Sequence, residues 1–207
     1  MSELARWGVF VLDRSALHVE VPRTGSRLGK VERDVRVHWT RRRADGWASV
    51  DIVEALIEAT RCQPVRAAVA TLDSALHLGL IGEAELGEVF AALPRRLQFI
   101  RGLLDERAES GSETLMRLLL RMLGCEVEIQ VRIDGVGRVD LVIDGWLIIE
   151  CDSREFHESW DQQRTDRRRD QEAAARGMVT YRPIAEDIFW HPERVVAAIR
   201  GLLAIRG

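Results

Sequence analysis

The chain is nearly without lysine. Among 30 Lys and Arg residues in 207 positions, Lys30 stands alone and the rest are arginine. A P-loop needs Gly-Lys-Ser/Thr, and Lys30 lies in Leu28-Gly29-Lys30-Val31 with no glycine at the required distance upstream. Schiff-base chemistry through a lysine after residue 30 is excluded outright. A strong charge of one sign is also lacking. The formal net charge is -3, so no global basic field draws the chain to nucleic acid, and such contact needs a local patch. No apolar run approaches the roughly 18 residues of a membrane span. The start, Met1-Ser2-Glu3-Leu4-Ala5-Arg6-Trp7, has no apolar segment of a secretory signal. Cysteines are few. Cys62, Cys125 and Cys151 are odd in number and far apart, with no Cys-x-x-Cys pair and no zinc-ligand spacing with the five histidines. The expectation is reduced thiols in a cytoplasmic protein.

What is present divides near residue 106, where the charged and small residues 105–111 read as a boundary between a region 1–106 and a region 107–207. The first region opens with strand-like stretches at 9–12 and 16–21 around the turn Asp13-Arg14-Ser15, and at 35–39 with period two. It is arginine-rich, which suits either a solvated face or a phosphate-binding patch. Helices are expected at 50–60 with Ser49 as N-cap, at 64–78 with Pro64 in the first turn, at 83–93, and from Pro94 to about 104.

The second region reads as helix, three strands, helix, strand, helix, an α/β (α+β) fold with a mixed sheet flanked by helices. Ser110-Gly111-Ser112-Glu113 opens a helix whose apolar face is Leu115, Met116, Leu119, Leu120, Met122 and Leu123, stopped by Gly124. Strands follow at 127–133, 138–143 and 146–151. A charged helix runs over 161–176 to Gly177, then a strand at 178–181 and a helix at 192–205.

Strand periodicity carries the functional reading. Glu150 and Asp152 leave one face of an extended strand, and Leu147, Ile149 and Cys151 the other. On the preceding strand Val139, Leu141 and Ile143 form the apolar set, with Asp140 opposite. A two-residue Asp144-Gly145 hairpin would mix the faces. A three-residue loop, Asp144-Gly145-Trp146, sets Asp140 directly across from Glu150. Two opposed acids repel, and a divalent cation between them offsets that cost. Oxygen donors, including the Cys151 carbonyl, suit magnesium or manganese. His157, just beyond the strand, suits proton transfer near neutral pH. Each residue also has an ordinary explanation. Glu113 completes a capping box with Ser110, Asp140 and Asp152 sit where turn acids are common, and a lone histidine is usually a surface residue.

Taken together, Ser112-Glu113, Gly137-Arg138-Val139-Asp140 and Ile149-Glu150-Cys151-Asp152-Ser153-Arg154-Glu155-Phe156-His157 resemble the PD-(D/E)XK, restriction-endonuclease-like superfamily. They most resemble its uncharacterised bacterial branch related to very short patch repair (Vsr) endonucleases. Asp161, Arg164, Asp166, Arg167 and Arg168 on a helix, Gly177, and Tyr181-Arg182 extend the match over about 109–203. The resemblance implies a metal-dependent DNA endonuclease. Asp140, Glu150 and Asp152 would be the Mg2+ or Mn2+ ligands, Glu113 an outer ligand or orienting group, and His157 the proton-transfer group. Arg164 and Arg167 would steady phosphates or hold the site acids in place, and the cluster Arg164, Arg167, Arg168 and Arg169 would meet the DNA backbone, or form a solvated face paired with Asp161, Asp166 and Asp170. DNA and a second copy of the chain are the implied partners. The superfamily signature ends in lysine, and this chain has Asp152 there, as the uncharacterised branch also carries an acid. A catalytically silent nucleic-acid-binding or toxin–antitoxin-type regulator therefore stays open beside the enzyme. Residues 1–106 are similar to the region preceding this domain in longer proteins of abortive-infection-antitoxin type. Those begin with a winged-helix domain, and this chain starts after its place.

Overall fold

The computed structural model describes residues 1–22, 34–40, 50–151 and 160–206. The chain divides into two compact units, Met1–Glu106 and Arg107–Gly207. The whole is an α+β protein, with a mixed sheet flanked by helices in its second unit. No described helix is long and apolar enough to cross a membrane.

The first unit runs α1 (Ser2–Arg6), β1 (Leu17–Pro22), β2 (Val35–Thr40), α2 (Ile52–Cys62), α3 (Val65–His77), α4 (Glu83–Ala92) and a 3-10 helix (Arg95–Leu103). Its core is helical, with Leu56 of α2, Leu72 of α3 and Val89 and Phe90 of α4 buried beside Leu4 and Ile100. The stretch 9–12, expected as a strand, is irregular. Val9 and Val11 are buried, but their neighbours' backbone bonds go elsewhere: Val9 N–H donates to the Leu4 carbonyl and Phe10 N–H to Ser74 Oγ of α3. A helix side chain takes the place of a partner strand. Instead β1 pairs with β2, in parallel. Asp51 is the N-cap of α2, its carboxylate accepting from Val53 N–H at 2.9 Å; Ser49, the expected cap, lies outside the described residues. Pro64 caps α3, and the segment after Pro94 winds as a 3-10 helix rather than an α-helix.

The second unit contains α5 (Gly111–Met122), β3 (Val127–Ile133), β4 (Gly137–Ile143), β5 (Leu147–Ile149), α6 (Trp160–Ala175), β6 (Val179–Tyr181), α7 (Ala185–Trp190) and α8 (Pro192–Arg206). The strands lie in the order β3-β4-β5-β6, the first two pairings antiparallel and the last parallel. A parallel pair needs a crossover, and α6 supplies it between β5 and β6. Inside the sheet, β5 is buried on both faces, so Leu147, Ile148 and Ile149 need no polar alternation. Helix α5 buries Leu115, Met116, Leu118 and Leu120, whereas Met122, expected on its apolar face, is 88% exposed at the last turn. Helix α6 is charged along its length and buries Ala173. It closes on a Schellman motif: Gly177 has φ 73°, and the N–H groups of Met178 and Gly177 return to the carbonyls of Ala173 and Ala174. Helix α7 has no counterpart among the sequence expectations.

Candidate active site

The β4–β5 hairpin fixes the site. Asp144 and Gly145 take φ of 49° and 72°, Trp146 N–H returns to the Ile143 carbonyl, and Asp144 Oδ1 accepts from Glu126 N–H at 3.0 Å. Asparagine, aspartate and glycine tolerate this left-handed backbone best. The pairing Ile143↔Leu147, Val142↔Ile148, Leu141↔Ile149 makes the loop three residues long, as expected. The ladder ends at Leu141↔Ile149, and Glu150 follows the last residue of β5, where one more step would set it opposite Asp140. The strand end is held open at this step, because Cys151 N–H donates to Asp140 Oδ2 at 2.7 Å and Glu150 N–H to the Tyr181 carbonyl of β6.

On the other side of Asp140, the β3–β4 register (Ile129↔Leu141, Val131↔Val139) places Gln130 across from it. That pair itself is missing from the ladder, which passes from Ile129↔Leu141 to Val131↔Val139. Its φ is 54°, a left-handed conformation that a non-glycine residue holds at a cost of about 1–3 kcal/mol. Its amide donates through Nε2 to Glu113 Oε2 at 2.8 Å, while its Oε1 is buried and meets no hydrogen-bond donor among the described residues.

Glu113 comes from the first turn of α5. Ser110 Oγ accepts from Glu113 N–H at 3.2 Å, the forward half of a capping box. The reciprocal half is displaced: the Glu113 carboxylate accepts from Glu109 N–H at 3.0 Å, one residue before the N-cap. Glu113 is 5% exposed, so it caps the helix and also faces the other site residues. Burial raises the Glu113 carboxyl above its ordinary value, and the nearby Asp140 charge raises it further. Glu150 is raised for the same two reasons in the same order, with Arg169 and Arg182 opposing. Burial drives the Cys151 thiol well up, which suits a packing residue and not a nucleophile.

Arg169 of α6 reaches a site acid directly. Its Nη2 donates to Glu150 Oε1 at 2.8 Å and to the Arg138 carbonyl at 2.6 Å, and its Nε to the Val136 carbonyl at 3.0 Å. Arg164, Arg167 and Arg168 are exposed on the same helix, and the Arg167 guanidinium lies over the Trp160 ring, 5.7 Å from its centre. Arg182 pairs with Asp170 at 2.8 Å and Arg138 binds Glu109 with both nitrogens. Of the sequence-derived site residues, Glu113, Asp140 and Glu150 are therefore brought to one neighbourhood, and the arginines onto one helix. Asp152 and His157 lie outside the described residues. Gln130 was missed as a site residue, and Arg169, expected in the basic cluster facing DNA, instead reaches Glu150.

The donor chemistry fits a small divalent cation, since Mg2+ is commonly held by one or two carboxylates and completes its shell with water and phosphate oxygens. Asp140, Glu150 and the Cys151 carbonyl are hard oxygen donors. Glu113, Asp140 and Glu150 do not bring three ligand atoms within 4.8 Å of one another. The described residues hold one set that does, His18, His38 and Cys62 of the first unit, brought together in space without any local ligand spacing in the sequence.

No protein-family model matches the chain, and no curated protein or solved structure matches it either.

Proposed function

We propose that the Arg107–Gly207 unit is a divalent-metal-dependent phosphodiesterase acting on DNA, an endonuclease of the PD-(D/E)XK kind, working in the cytoplasm. The observation that carries this reading is the gathering of Glu113, Asp140 and Glu150 at the end of β5, where Cys151 N–H holds Asp140 Oδ2 at 2.7 Å and the Asp140 charge raises both glutamates above their ordinary range. A purely structural sheet position gains nothing from facing acids, whereas a cation between them removes the repulsion. A bound Mg2+ or Mn2+ would polarise a water and neutralise charge developing on the phosphate. Asp140, Glu150 and the Cys151 carbonyl are the donors, with Cys151 N–H fixing the second oxygen of Asp140. Glu113 is oriented by the Glu109 N–H and by Gln130, so that it can accept a hydrogen bond from a metal-bound water. Arg169 holds Glu150 in place through a charge-assisted hydrogen bond. His157 is the candidate for proton transfer and Asp152 a third ligand. The exposed Arg164, Arg167 and Arg168 offer the local positive charge a DNA backbone needs, and cutting both strands would call for two copies of the chain.

A second reading is favoured by one specific contact. Arg169 already supplies a cation to Glu150, and Asp152 replaces the lysine of the superfamily signature. A chain that kept this fold and bound nucleic acid without cutting it would look the same at these residues. Incubation with supercoiled plasmid and Mg2+ or Mn2+ separates the two. Nicking that falls at least ~100-fold in Asp140→Asn, the scale of losing a metal ligand worth several kcal/mol, supports the enzyme. A salt-sensitive gel shift without nicking supports the silent binder, and no metal binding by calorimetry with no cleavage overturns the nuclease reading.

A further inference from the structure

His18 of β1 and His38 of β2 lie on one face of the two-stranded sheet. The parallel register pairs His18 with Arg36 and Glu20 with His38, so the two histidines are diagonal neighbours. His18 Nδ1 and His38 Nε2 are 2.7 Å apart, with the rings stacked at 5.0 Å and 20°. Cys62, the last residue of α2, brings its sulfur to them, and all three ligand atoms lie within 4.8 Å of one another. One turn earlier on the same helix, Glu58 Oε2 lies 3.2 Å from His38 Nδ1. A proton on His38 Nδ1 leaves Nε2 with its lone pair free to meet His18 Nδ1 or an ion.

We propose that His18, His38 and Cys62 form a zinc site, distinct from the carboxylates of the second unit, with Glu58 as the carboxylate that orients His38 and a water in the fourth position. Two imidazole nitrogens and a thiolate are the donors that zinc prefers over magnesium. Tetrahedral zinc, with bonds of about 2.0–2.1 Å to nitrogen and 2.3 Å to sulfur, sets its ligand atoms roughly 3.3–3.6 Å apart, so the rings need separate by only about half an ångström. A carboxylate on the far ring nitrogen, as Glu58 is on His38 Nδ1, fixes ring orientation in metal sites. On binding, the Cys62 thiol gives its proton to solvent, and the proton shared between the rings moves from His18 Nδ1 to its Nε2. The three ligands come from three elements, and a two-stranded sheet is marginal without such a tie. The ion would therefore staple β1, β2 and α2 together.

The full chain, stripped of metal by a chelator, is titrated with Co2+ and with Zn2+. One equivalent of Co2+ is expected to give a thiolate-to-cobalt charge-transfer band with the intense visible bands of tetrahedral cobalt, and Zn2+ is expected to displace it and raise Tm. Cys62→Ser should abolish the charge-transfer band and lower zinc affinity. Glu58→Gln should keep the band while weakening binding by about 10–100-fold. If Cys62→Ser fails to fold, alkylation of the unmutated chain gives the same information: zinc should protect Cys62 and leave the rate at Cys125 unchanged. Absence of the charge-transfer band, or unaltered alkylation of Cys62, overturns the proposal. So does zinc binding to a folded Cys62→Ser chain with undiminished affinity, which would put the ion elsewhere.

Discussion

Replacing Asp140 by Asn tests whether the carboxylates are held together against their own repulsion. Asparagine keeps an oxygen to accept from Cys151 N–H, so the strand end stays bonded while the charge is lost. Asp140 raises both Glu113 and Glu150 by its charge. At roughly 0.2–1 kcal/mol for each like-charged neighbour pair, removing two such pairs should stabilise the metal-free unit by about 0.5–2 kcal/mol at pH 7. The pH dependence follows from the same shifts. Glu113 and Glu150 have raised pKa values in the folded chain, so between the unfolded and folded values the native state binds more protons. Stability is then greatest below the ordinary glutamate range and falls as pH rises through the raised values. In Asp140→Asn that fall should shrink. Urea unfolding with chelator present, at low salt and from pH 4.5 to 7, measures both effects. The reasoning is refuted if Asp140→Asn is less stable than the parent at pH 7 and the slope with pH is unchanged.

Arg169→Gln removes a charge-assisted bond to Glu150 and at least one of two carbonyl bonds, and should destabilise the second unit by about 1–3 kcal/mol, read from the urea midpoint. Gln130→Gly should change stability by less than about 1 kcal/mol, because relief of the left-handed backbone offsets the added chain entropy and the lost bond to Glu113. Plasmid nicking by Gln130→Gly should nevertheless fall, since Glu113 loses its orienting donor; an equal loss of stability at the neighbouring strand position, Ile129→Gly, would show that the backbone at 130 is ordinary.

The three-residue loop, and with it the register of β4 on β5, was legible because strands have a period of two and one apolar face, so a single loop length satisfies both. Glu113 was legible from Ser110, three residues before it. Arg169 was hidden among Arg164, Arg167 and Arg168, since α6 has no apolar stripe to tell its inner face. The one signal is Ala173, fully buried one turn after Arg169 and on the same face. Gln130 fits an alternating strand, and nothing in the residue type announces its positive φ. The stretch 9–12 has strand composition, but its backbone partner is Ser74, 64 residues from Phe10. The His18–His38–Cys62 cluster escaped for a related reason. Its members are 20 and 24 residues apart, beyond any local ligand spacing, and meet only through the parallel pairing of β1 with β2.

The central claim is that Asp140 and Glu150 hold a divalent cation, and a manganese-soaked crystal tests it most directly. The account predicts anomalous density within about 2.0–2.6 Å of oxygens from both carboxylates, with Glu150 Oε1 still held by Arg169. A manganese-soaked crystal with no density there would contradict it.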